Sequence, residues 1–279
     1  MPIHDQSYRR YGGGKALPGR AWLVIAWAGI VNMMRKRLFL GLLIVSWIPF
    51  LFRAGQIYFS TNFPQLAMLA ATAETFREFL DNQGLFVFFM TIYIGAGLIA
   101  NDRRANALQI YLSKPLLRAE YIAGKAGVLF FFLLLITWVP GILLLLVQVL
   151  FAGNFEFFRK NLFLFPAITV ASLLQVVVAS FTMLALSSLS KSSRYVAILY
   201  TGIIIFTFAI YGVLYAITGS SAMSWISPTA SLAQVVDVIF RQTPRYVTPW
   251  QVSLIVVLGF VIVSISVLER RVRGVEVVT

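Results

Sequence analysis

Residues 126–151, AGVLFFFLLLITWVPGILLLLVQVLF, run for 26 positions without one charged side chain. No face of a helix built from such a stretch suits water, and the helix is long enough to cross roughly 30 Å of hydrocarbon. Five further apolar stretches recur, at about 38–52, 84–100, 162–189, 196–217 and 252–268 of the 279 residues. With 59% hydrophobic and only 12% charged residues, a chain of this length lacks the polar surface of a water-soluble globule. The expected fold class is therefore an all-α membrane protein with six transmembrane helices, because in lipid a helix satisfies its own backbone.

Residues 21–34, AWLVIAWAGIVNMM, are short for a span. Followed by Arg35-Lys36-Arg37, they read as an in-plane interfacial helix over 21–37, between a basic tail at 1–20 and the six-span domain at 38–268. A second tail follows at 269–279. The first 20 residues show no apolar core of a cleavable signal peptide.

Charge placement sets the orientation. If both termini are cytoplasmic, 17 of the 23 Lys and Arg fall on the inside and 6 outside, a strong positive-inside bias. The formal charge of +13 is thus membrane topology, and no nucleic-acid partner is expected. Outside, residues 63–84 carry Glu74, Glu78 and Asp81 and read as a short external helix. Residues 221–240, apolar but interrupted by Ser227-Pro228, read as two short helices dipping into the outer leaflet. No short-period repeat stands out.

Reactive groups are scarce. There is no cysteine, the one histidine is His4 in the polar tail, and no Asp or Glu lies in the six apolar stretches. That inventory excludes Ser/His intramembrane proteolysis, haem ligation by paired histidines and zinc sites of the H-E-x-x-H kind. No catalytic residue, metal or cofactor is expected in this chain. YGGGKALPG at 11–19 fails as a phosphate-binding loop, since Ala16 follows Lys15. Arg53, near the end of the first stretch, reads as a side chain reaching for headgroups. Gln148 and Gln175 read first as interhelical hydrogen-bonding groups and only weakly as candidates for a substrate path.

One segment breaks the pattern. NDRRANALQIYLSKPLLRAEYIAGK, residues 101–125, carries seven charges between two apolar stretches. Asp102 can begin a short helix carrying Leu108, Ile110, Tyr111 and Leu112, which Pro115 stops. A second helix can start near Leu117. Apolar and basic side chains side by side suit either an anionic lipid surface or a protein partner.

This plan resembles the permease subunits of type-2 ATP-binding-cassette (ABC) transporters. The match falls on Gly97, Asp102, Arg103, Leu112, Ser113, Pro115, Arg118, Tyr121 and Lys125, the coupling-helix region in that family. Tyr111 departs from a common leucine, Leu117 precedes the arginine, and Asn106-Ala107 replaces a common Gly-Thr pair. An amphipathic in-plane helix, six spans and Ser-Pro-containing external helices extend the likeness over most of the chain. The resemblance implies an exporter of the bacterial inner membrane, driven by a separate ATPase subunit that binds ATP and Mg. It also implies a second permease copy or a paralogue as partner. Leu108, Tyr111 and Leu112 would then fill a pocket on the ATPase, with Arg103, Arg104, Arg118 and Glu120 as rim ion pairs. Gly95, Gly97, Ala171, Ser172, Ala179 and Ser180 permit close approach, either between two copies or within one. The competing readings are a non-transporting membrane anchor and a secondary transporter, the latter disfavoured by the missing intramembrane carboxylates.

Overall fold

The computed structural model describes residues 20–63, 65, 70–107, 117–152, 159 and 161–272. Among these there is no strand, and six helical segments are long and apolar enough to cross a membrane. The chain is a helical integral membrane protein. Its spans run Arg37–Asn62, Ala73–Arg104, Arg118–Phe151, Leu164–Leu189, Ser193–Thr218 and Trp250–Arg271. Of their apolar windows, 56% is buried within the chain for spans 2 and 3 and 44% for span 4, against 11% for span 1 and 17% for span 5. Spans 2, 3 and 4 are therefore the centre of the bundle.

Three of these spans are interrupted, each for a local reason. Span 1 is α2 (Arg37–Val45) and α3 (Ile48–Asn62). Pro49, in the first turn of α3, cannot donate a backbone bond back across the join. Ser46 turns its hydroxyl onto the Leu43 carbonyl, and the Gln83 amide of span 2 donates to the Ser46 carbonyl at 3.1 Å. Span 3 is α6 (Arg118–Ile136) and α7 (Trp138–Ala152). Pro140 lacks the amide that Ile136 would receive, so the helix breaks at Thr137, whose hydroxyl donates to Leu133 at 2.8 Å.

Span 2 comprises α4 (Ala73–Gly95) and the five-residue α5 (Ala100–Arg104), with irregular turns at 96–99. Its break is closed by another helix. Ser187, fully buried on α8 (Leu164–Leu189), accepts from the amides of Ile99 at 3.1 Å and Ala100 at 3.0 Å, and donates to the Ala96 carbonyl at 3.0 Å. One hydroxyl thereby uses its full hydrogen-bonding capacity on the irregular backbone. Gly95 makes the approach possible, since a Cβ there would run into the Met183 side chain of α8.

α1 (Ala21–Met34) forms where expected and crosses α6 closely: a Cβ on Gly124 would lie 2.7 Å from Ile25 and one on Gly127 3.2 Å from Ala26. Its outward face is apolar, with Leu23, Val24 and Trp27 exposed, so the helix lacks the polar face expected of an amphipathic one. α9 (Ser193–Thr218) ends on Gly219 in the left-handed conformation that glycine tolerates best. The short pair between spans 5 and 6 is a 3-10 helix, Ser221–Ile226, and α10 (Pro228–Ile239). The Ser-Pro step starts α10: the Ser227 hydroxyl accepts from the Ala230 amide at 3.3 Å, and proline fits the first helical position. α11 (Trp250–Arg271) completes the bundle.

One reading of the sequence is corrected. Residues 73–84 are not a separate external helix but the first turns of α4, capped at Thr72, so Glu74, Glu78 and Asp81 stand on the end of span 2. The six small residues read as permitting close approach, between two copies or within one, make contacts within the chain. Gly95 meets Met183 and Leu129, Gly97 meets its own Asn101, and Ala171, Ser172, Ala179 and Ser180 are buried.

Ser187→Ala is expected to destabilise the protein by about 1–3 kcal/mol, because two buried amides lose their partner. Ser188→Ala should do less, since among the described residues that hydroxyl bonds only to Ala185 of its own helix. Thermal unfolding of both variants in detergent checks the difference.

Candidate functional site

The basic end of the bundle gathers Arg20, Arg35, Lys36, Arg37, Arg103, Arg104, Arg118, Lys125, Lys191, Arg194, Arg270 and Arg271. Here the two flanks of the charged segment are tied together. Asp102 on α5 takes the Tyr121 hydroxyl at 2.7 Å and the Lys125 ammonium at 2.7 Å, both from α6, and Lys125 also lies over the Tyr121 ring. With side chains only 16% and 19% exposed, this pair is less screened than a surface bridge. Arg103 turns the other way and donates to the Ser188 carbonyl at the end of α8, where a cation also suits the helix dipole. Together with Ser187, these contacts join the ends of spans 2, 3 and 4 into one block.

The residues singled out from sequence divide accordingly. Arg104 and Arg118 are exposed at this end. Arg103 is engaged by Ser188, and Glu120 accepts from the Leu117 amide at 3.3 Å as a cap of α6. Asp102 serves as an ionic tie to α6 as well as lying in the first turn of α5. Leu108, Tyr111, Leu112 and Pro115 lie outside the described residues. Asn106 has φ 53°, a left-handed conformation that glycine and asparagine adopt most readily. Arg118 borders a groove of about 530 Å³ shared with Ala119, Ile122, Glu269 and Arg270, the last two contributed by span 6 and not singled out in the sequence.

The opposite end carries an ionic clamp that the sequence reading missed. Asp237 of α10 is fully buried, and Arg245 holds it through Nε at 2.9 Å and Nη2 at 2.7 Å. Arg77 of α4 reaches the same carboxylate at 3.0 Å, and Arg245 continues to Asp81 at 2.7 Å. Burial works against the Arg245 charge, but hydrogen bonds and charge from Asp237 and Asp81 outweigh it and raise its pKa above the ordinary value. Gln234 ties the following loop down by donating to the carbonyls of Tyr246 at 3.1 Å and Thr248 at 2.8 Å. Arg53 is likewise engaged rather than reaching for headgroups: it binds Glu78 at 2.7 Å and Gln56 at 2.7 Å.

Between these two ends lies a cavity of about 310 Å³, walled by spans 2, 4 and 5 and by α10, with Phe260 of span 6. Gln175 lines it, together with Thr182, Tyr200 and Thr229. Thr182 is 4% exposed and its hydroxyl has no hydrogen-bond partner. Asp81 is the only charged side chain in the lining, and its carboxylate is engaged by Arg77 and Arg245. Gln148 lies buried on α7, its Oε1 without a hydrogen-bond partner, and is not part of this cavity. No protein-family profile matches the chain, and no curated protein is significantly similar to it.

Removing the clamp carboxylate leaves Arg77 and Arg245 sharing Asp81, without their buried partner. Asp237→Ala should lower stability by about 3–5 kcal/mol. Glu74→Gln, which removes the exposed partner of Arg77, should change it by less than about 1 kcal/mol. Denaturation midpoints of the two variants test the ranking.

Proposed function

We infer that this chain is the membrane-spanning permease subunit of a type-2 ABC transporter, an exporter driven by a separate ATPase. The observation that carries this reading is the block at the basic end. Asp102, Arg103 and Ser187 join the charged segment to spans 2, 3 and 4, so a displacement applied there moves the centre of the bundle rather than a loose loop. Positive-inside topology puts that end in the cytoplasm, where an ATPase would stand. Leu108, Tyr111 and Leu112 supply the apolar part of the contact, and Arg104, Arg118, Glu269 and Arg270 its rim.

In this reading ATP and Mg belong to the partner. Nucleotide binding favours one arrangement of the ATPase pair, and the charged segment transmits that preference to the spans. The permease acts as a pair, with a second copy or a paralogue. The cavity beside Gln175 and Thr182 is the candidate substrate path, and its apolar walls with neutral polar groups favour an uncharged amphipathic cargo. A secondary transporter is the weaker reading. Among the described residues the buried carboxylate, Asp237, is committed to two arginines and is poorly placed to exchange protons or sodium.

The test is affinity purification from native membranes in mild detergent, comparing wild type with a variant carrying Tyr111→Asp and Leu112→Asp. An ATPase subunit should co-elute with wild type and be reduced at least tenfold with the folded variant, the scale of losing apolar anchors at an interface. If cross-linked wild type yields no ATPase, the permease reading falls and a membrane anchor takes its place.

A further inference from the structure

A cleft of about 500 Å³ opens at the basic end, between α1, the broken part of span 2, and the starts of spans 3 and 5. Its polar lining includes Asn32, Lys36, Asn101, Asp102, Lys125 and Arg194. Three cations face one carboxylate, and that carboxylate is already bound to Lys125. Lys36 lies over the Tyr93 ring at 5.7 Å, and among the described residues neither Lys36 nor Arg194 pairs with an acid. The cleft thus holds an excess positive charge contributed by separate elements. The start of α9 adds to it: Ser193 and Arg194 line the cleft in the first turn of a 26-residue helix whose Ser192 makes no side-chain cap.

We propose that this cleft binds the phosphate of an anionic glycerophospholipid. Lys36 and Arg194 contact the phosphate oxygens, and the Asn32 and Asn101 amides donate to the headgroup. The lipid source follows from what adjoins the cations. Met33, Ile92, Ile94 and Leu98 form the apolar wall, and the outward face of α9 continues from Arg194 through Tyr195, Ile198 and Leu199, all exposed. A phosphate seated at Arg194 has its acyl chains laid along that face. A soluble phosphate compound has no use for such a surface.

Position gives the site a consequence. Its walls include Ala96, Gly97 and Asn101, at the break that Ser187 closes, so bound lipid braces α1 and α9 against the joint of the charged segment. This inference does not depend on the presence of an ATPase.

The experiment is lipid binding by the purified full chain, followed by native mass spectrometry and thermal shift, with phosphatidylglycerol, phosphatidylcholine and inorganic phosphate as probes. Wild type should retain phosphatidylglycerol and be stabilised by it, with little response to phosphatidylcholine. Lys36→Gln with Arg194→Gln should weaken phosphatidylglycerol binding roughly thirtyfold, the size expected for two basic contacts to an anionic headgroup. Lys36→Arg with Arg194→Lys keeps both charges and should retain the lipid. Arg35→Gln with Arg37→Gln removes the same charge outside the cleft and should retain it too. Equal losses in the two Gln pairs would overturn the site in favour of diffuse surface charge. Full displacement of phosphatidylglycerol by millimolar inorganic phosphate would overturn the lipid source and leave a soluble phosphate ligand.

Discussion

A helix interrupted in hydrocarbon must find partners for the backbone groups it frees, because lipid supplies none. In this chain the requirement is met most sharply at residues 96–100, where the Ser187 hydroxyl takes two amides and gives its proton to a carbonyl. The arrangement lets span 2 end in a short offset helix without exposing its backbone. It also fixes where that helix sits, directly against the end of span 4. Asp102 can then face Tyr121 and Lys125, and Arg103 can reach Ser188. The geometry of the charged segment is set by these few polar contacts more than by its apolar residues.

The two ends of the bundle differ in kind. At the basic end most arginines and lysines exceed the available acids, so several face outward and the cleft by α1 carries net positive charge. At the other end two arginines and two acids, Asp237, Arg245, Arg77 and Asp81, close into a compact network that holds α10 on span 2. A clamp of this type gains from mutual hydrogen bonding what it loses on burial, and its value lies in fixing one geometry. The cavity lined by Gln175 lies between the ionic clamp at one end and the joint at the basic end. Span 5, the least buried after span 1, forms one side of that cavity, a wall with little of its surface packed within the chain.

The spans were legible in the sequence because their apolar runs exceed anything a soluble helix needs. Their ends were not. Glu74, Arg77, Glu78 and Asp81 look like an external segment, yet they extend α4 because each finds an opposite charge, two of them on residues far along the chain. Asp237 is a lone acid in an apolar stretch, and nothing periodic connects it with Arg77 or Arg245. The break at 96–99 is foreshadowed by Gly95 and Gly97, while its closing residue, Ser187, is one of several serines in LSSLSKSS with no distinguishing spacing. Pro49 and Pro140 were visible cues for the other breaks. Among the segment's residues, Arg104 and Arg118 stand exposed and Glu120 caps its own helix from three residues away, whereas the inward turn of Arg103 follows from Ser188, a neighbour that only folding brings close.

The central claim is that the charged segment is held to the bundle by a rigid joint and so can transmit a push. Amide hydrogen exchange across residues 95–107, measured on the protein in lipid nanodiscs, tests it most directly. The account predicts slow exchange at Ile99, Ala100 and the turn of α5, comparable to the last turn of α8, and a local loss of that protection in Ser187→Ala. Exchange at Ile99 and Ala100 as fast as in an exposed loop, in wild type and variant alike, would contradict it. The segment would then hang on a flexible tether, unable to move the spans.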